Sequence, residues 1–146
     1  MQPDATLAQQ EDSQTQVWQA RGFRALRILV PLLAAAILLQ AISAGQILSG
    51  NTAMRALHSA GMLLVLLLAI LQLVAAILVW RPGRGPGRMV GSSIGLIVAI
   101  IVQAALGAAH VRGLHIPLGV LIFGGVFAQM AQLRSRSPGQ ATGVRP

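Results

Sequence analysis

Three histidines, His58, His110 and His115, are the side chains in this 146-residue chain whose chemistry is poised near neutral pH within or beside its apolar stretches. An imidazole can ligate a metal, relay a proton or hydrogen-bond a carbonyl, and its neighbours decide which. Here the neighbours are few. The three acids, Asp4, Glu11 and Asp12, all fall in the first dozen positions, and there is no cysteine, tyrosine or lysine. Carboxylate-driven antiport, hydrolysis by paired acids and hard-metal catalysis are thereby excluded. So are thiol exchange, cysteine-bound zinc and cysteine-bound iron–sulfur clusters. Two of the histidines share a motif: Arg55-Ala56-Leu57-His58 is matched by Arg112-Gly113-Leu114-His115.

A pair of imidazoles at matched positions suits a flat, symmetric ligand lying between them, and haem is such a ligand. Its iron takes two axial imidazoles from opposite faces, its porphyrin is an apolar disc, and its propionates need cations at the water boundary. Arg55 and Arg112 precede their histidines by about one helical turn and are placed to meet propionates. Each histidine opens a helix, where the positive dipole end disfavours imidazolium and keeps a ring nitrogen free for iron. The plainer reading is that histidine and arginine at a helix mouth contact lipid headgroups. The duplication favours paired ligation over it. His110 has Ile47 as its counterpart and reads as an interfacial residue or a contact behind a ligand.

The elements that must position these residues are apolar. The chain is 55% hydrophobic and 10% charged, with a mean hydropathy of +0.71, far from the roughly 25% charged residues of a soluble domain. Four runs, 26–48, 57–80, 90–109 and 114–133, each approach the roughly 20 residues that cross about 30 Å of hydrocarbon, and in lipid such segments must be helices. The expected fold is all-α: an integral membrane four-helix bundle over 26–133. Residues 1–25 are expected as a poorly ordered cytoplasmic tail ending in an interfacial segment around Trp18, Arg21, Phe23 and Arg24, and 134–146 as a disordered cytoplasmic tail. Pro31 and Pro117 are read into first helical turns, Ser49-Gly50-Asn51-Thr52 as turn and N-cap, and Arg112-Gly113 as the tight turn into the last helix.

Arginine sets the expected orientation. Arg21, Arg24, Arg27, Arg81, Arg84, Arg88, Arg134, Arg136 and Arg145 fall on one side, against Arg55 and Arg112 on the other, so both termini are expected inside. The net charge of +8 arises at the ends of apolar runs, not on a water-exposed face, and does not point to nucleic acid. The lipid bilayer is the expected partner, and the cell inner (plasma) membrane, crossed several times, the expected location.

The matched motifs belong to a longer repeat. Sliding the chain by 57 positions lays Leu64 over Leu121 and Gln72 over Gln129, and a slide of 63 lays Gln40-Ala41 over Gln103-Ala104. The bundle is therefore read as two parallel two-helix repeats about an axis along the membrane normal, with the second and fourth helices facing across it. Gly61 and Gly119, one turn beyond the histidines, would leave room for a porphyrin face. Gly91, Gly95, Ala99, Gln103 and Gly107 form a ridge on which another backbone can approach, and Gln40, Gln72, Gln103 and Gln129 would bond between helices.

These residues resemble one four-helix half of haem A synthase, a family of two such halves with histidines associated with the second and fourth helices of each. The stretch Val102-Gln103-Ala104-Ala105-Leu106-Gly107-Ala108-Ala109, followed by Leu114-His115-Ile116-Pro117-Leu118-Gly119-Val120, is similar to the histidine-bearing helix pair of that family. The chain also looks like short bacterial four-helix membrane proteins of unknown function. The resemblance spans about residues 26–133 and implies haem b held by His58 and His115. It does not carry haem A synthesis over, because the glutamate that the family has in its first outer loop is missing. The chain is thus read as a membrane haem b protein for electron transfer or haem handling, leaning away from an enzyme. It would need a redox partner or quinone, or assembly with a second copy or a larger membrane complex. The alternative is a cofactor-free accessory or scaffold subunit. A transporter is weaker, for want of an intramembrane charge or a broken helix.

Overall fold

The computed structural model describes residues 5–81 and 87–135, and among these every element is a helix. The four helices are α1 (Ala5–Leu48), α2 (Met54–Trp80), α3 (Arg88–Ala108) and α4 (Arg112–Arg134). The middle of the loop between α2 and α3, with Arg84, and the tail from residue 136 onward, with Arg136 and Arg145, lie outside the described residues. Each helix packs on its two neighbours in a closed ring, α1 on α2, α2 on α3, α3 on α4 and α4 on α1. The backbones of α2 and α4 therefore stand on a diagonal, with the bundle axis between them.

Sequence explains the packing. Alanines at positions 34, 36, 69, 75 and 76 are buried, and their small side chains let α1 and α2 approach closely. Leu33, Val65, Leu96, Ile100, Ile122 and Val126 complete the core. Large apolar side chains also cover the outside, among them Leu39, Leu63, Leu67, Val98, Ile101, Val120 and Leu121. A surface so continuously apolar is costly in water and fits lipid. All four helices are long and apolar enough to cross a membrane, as befits a membrane protein.

The termini of the elements differ from expectation in four places. Helix α1 starts at Ala5, so the described part of the expected unordered tail is helical. Its alanines and glutamines are good helix formers, and Gly22 is buried where an added Cβ would lie 2.7 Å from Val79. Gln19 Nε2 donates to the Val79 carbonyl at the end of α2 (3.5 Å), which holds the extension to the bundle. At 44 residues α1 is about 66 Å long, well beyond the hydrocarbon thickness. Pro31 consequently lies in the helix interior and Pro117 beyond the first turn of α4. Both side chains are exposed. The α2 N-cap is Ala53, with no side-chain cap bond.

The fourth difference concerns His110. Arg112 and Gly113 belong to α4, and the turn before it is built by His110 at φ 58°, the one non-glycine residue with positive φ among those described. His110 N–H donates to the Gly107 carbonyl and Val111 N–H to the Leu106 carbonyl, the Schellman pattern that ends a helix. Gly50, at φ 96°, does the same after α1, with bonds from Gly50 N–H to Ile47 and Asn51 N–H to Gln46. Histidine tolerates the left-handed region better than most residues, but at a cost that glycine avoids. His110→Gly is expected to raise the unfolding free energy in detergent by about 1 kcal/mol, and His110→Val to lower it by at least as much. Thermal melts of the two variants check this, and the reverse order would refute the turn assignment.

Candidate functional site

The first turns of α2 and α4 lie at the same end of the bundle, and there the diagonal brings His58 and His115 together. Their ring centroids are 6.3 Å apart, with the planes inclined at 64°. Both side chains are half-buried, while Arg55 and Arg112, one turn nearer the helix starts, are exposed at that same end. His110 is exposed in its turn, as a backbone device and not as part of the pair.

Each imidazole is held by the helix that precedes its own. His115 Nδ1 lies 2.9 Å from the Gln103 carbonyl oxygen of α3. A carbonyl can only accept, so Nδ1 carries a proton, and in the neutral ring Nε2 is the nitrogen that keeps its lone pair. His58 Nδ1 lies 2.9 Å from Ser43 Oγ of α1, and the Ser43 hydroxyl donates to the Gln40 carbonyl at 2.9 Å. With its proton committed there, Ser43 Oγ accepts from His58, which fixes the same tautomer. An imidazole anchored through Nδ1–H is how metal-bound histidines are ordinarily oriented.

The glycines near the pair have defined partners. A Cβ on Gly61 would collide with the Gln40 amide, and one on Gly119 would lie 2.9 Å from Gln103 Nε2. The space expected for a porphyrin face is thus taken by glutamine amides. A Cβ on Gly107 would lie 2.9 Å from His115 Cε1, so Gly107 lets the ring rest on α3. Gly91 and Gly95, on the ridge expected to pack against a backbone, are exposed with nothing within 4 Å of an added Cβ. The glutamines divide likewise. Gln72 Nε2 donates to Gln129 Oε1 (2.7 Å) across the diagonal and to Ser93 Oγ (3.2 Å), whereas the buried Gln103 Oε1 has no partner.

Ser43 and Gly107 were not singled out as site residues by sequence. Gly107 belongs to a periodic ridge, and nothing in the period separates the glycine under a ring from the two facing outward. Ser43 is fifteen residues from the histidine it orients. The available signal was a hydroxyl in an otherwise apolar run, one turn from Gln40.

Among the described residues, no three of His, Cys, Asp and Glu gather to hold a metal ion. A metal between these rings would draw its other ligands from elsewhere. Imidazole nitrogens about 2 Å from a metal on opposite sides put ring centres roughly 6 Å apart, which the 6.3 Å separation matches. The ring spacing is thus one at which two imidazoles can share a metal ion, while the Gln40 and Gln103 amides occupy the glycine notches beside them.

Two outcomes follow from the anchoring. In ¹⁵N NMR of the ring nitrogens, both histidines are expected to show protonated Nδ1 and lone-pair Nε2, and Ser43→Ala to shift only His58 toward the other tautomer. No change in His58, or Nε2 protonation in the native protein, would defeat the assignment. Gly95→Ala should stabilise the helix by up to about 1 kcal/mol, while Gly107→Ala should give no such gain and should move the His115 signals. No protein-family model, curated protein or solved structure matches the chain, so the site stands on its own geometry.

Proposed function

We propose that this protein is a membrane haem b protein in which His58 and His115 would hold the haem iron and Arg55 and Arg112 would meet the propionates, acting in electron transfer or haem handling. The observation that supports the reading is the facing pair of imidazoles, 6.3 Å apart, each anchored through Nδ1. Haem bound there would supply a one-electron iron centre. The chain's own residues do the rest. Ser43 and the Gln103 carbonyl orient the rings. Gly107 seats His115 against α3, above the apolar core. On the arginine asymmetry, the histidine end faces outward and both termini face the cytoplasm, in the plasma membrane. A single haem near one face cannot span about 30 Å of hydrocarbon, so a quinone, an outer-face protein or a second copy completes the path.

A cofactor-free accessory subunit is the second reading. It is favoured by the closure of both glycine notches by Gln40 and Gln103. Absorption spectra of protein purified with haem supplementation separate the two. The haem reading expects a Soret band that is displaced in His58→Ala and in His115→Ala and abolished when both are replaced. A colourless protein, or a band indifferent to both substitutions, overturns it and leaves the accessory role.

A further inference from the structure

At the opposite end of the bundle from the histidines, Gln72 is 2% exposed and its Oε1 is buried without a hydrogen-bond partner. It lines a cavity of about 10 Å³ whose wall is polar at Ser92, Ser93, Gln129 and Gln132 and apolar at Leu26, Val30, Met89 and Leu133. The amide orientation is fixed by chemistry. Ser93 Oγ donates to the Met89 carbonyl (2.9 Å), so it can only accept from Gln72, and the nitrogen of Gln72 must face it. The Gln72 oxygen is then a true acceptor with nothing to accept from. Ser92, the other hydroxyl on the cavity wall, also donates to the Met89 carbonyl (3.1 Å). Both nearby hydroxyl protons are committed.

An amide oxygen left unpaired inside an apolar bundle costs on the order of 1–3 kcal/mol. About 10 Å³ is the least space that one water occupies, and the polar groups around it supply the partners that a water needs. We propose that this cavity binds a single buried water, which donates to Gln72 Oε1 and whose oxygen takes an N–H from Gln129. The Gln72–Gln129 pair then becomes a closed polar lock between α2 and α4. It lies about 21 Å along the helix from the histidines and is independent of any cofactor there.

Water-selective NMR of the full chain in bilayer nanodiscs, with deuterated lipid and selectively labelled glutamine, tests this. A direct, non-exchange cross-peak between water and the Gln72 side-chain amide is expected, with none at Ala69. A crystal structure from lipid is the second readout, with solvent density about 3 Å from Gln72 Oε1 expected. An empty cavity, an acyl chain within it, or a protein hydroxyl or amide turned onto Gln72 Oε1 would each overturn the proposal.

Discussion

The bundle is organised by the need of each inward polar group to find its partner inside the protein. Lipid offers no hydrogen bonds, and the core offers few. Serine meets the need twice in the same way. Ser43 and Ser93 each donate to a carbonyl of their own helix, three or four residues back, and so present an oxygen that can only accept. One acceptor fixes the tautomer of His58 and the other fixes the amide of Gln72. A hydroxyl free to rotate would leave both partners undetermined, and with them the character of the two ends of the diagonal.

That diagonal has one interaction at each end. His58 faces His115 near the helix starts, and Gln72 bonds Gln129 about four turns further along. Between them lie Val65, Ala69, Ile122 and Val126, which pack without direction. Apolar packing tolerates sliding, whereas two separated polar pairs do not. A slip of one residue along either helix would leave buried amides unpaired. The polar pairs therefore set the register of α2 against α4, and the apolar core holds the helices at that register.

Small residues act only where something occupies the space they leave. Gly22 admits Val79, Gly61 the Gln40 amide, Gly107 the His115 ring and Gly119 the Gln103 amide. Gly91 and Gly95 admit nothing among the described residues. At the same end as the histidines, two Schellman turns reverse the chain, one through Gly50 and one through His110. Each turn delivers the next helix so that its histidine lies beside the helix just left. This is why Ser43 of α1 reaches His58 and Gln103 of α3 reaches His115.

The sequence by itself determined the four helices and their apolar exterior, because length and hydropathy leave a chain in lipid no other way to satisfy its backbone. It also marked His58, His115, Gln72 and Gln129 as related positions, since rare polar residues at matched spacing stand out in an apolar chain. Where the helices begin was less legible. The part of α1 around Gln19 and Gly22 is held by docking on α2, and the turn before α4 depends on a histidine in a conformation usually left to glycine. Only the tertiary structure decided what each polar group touches. Ser43 and His58, or Gly107 and His115, carry no mutual period, and their pairing follows from how α1 lies on α2 and α3 on α4.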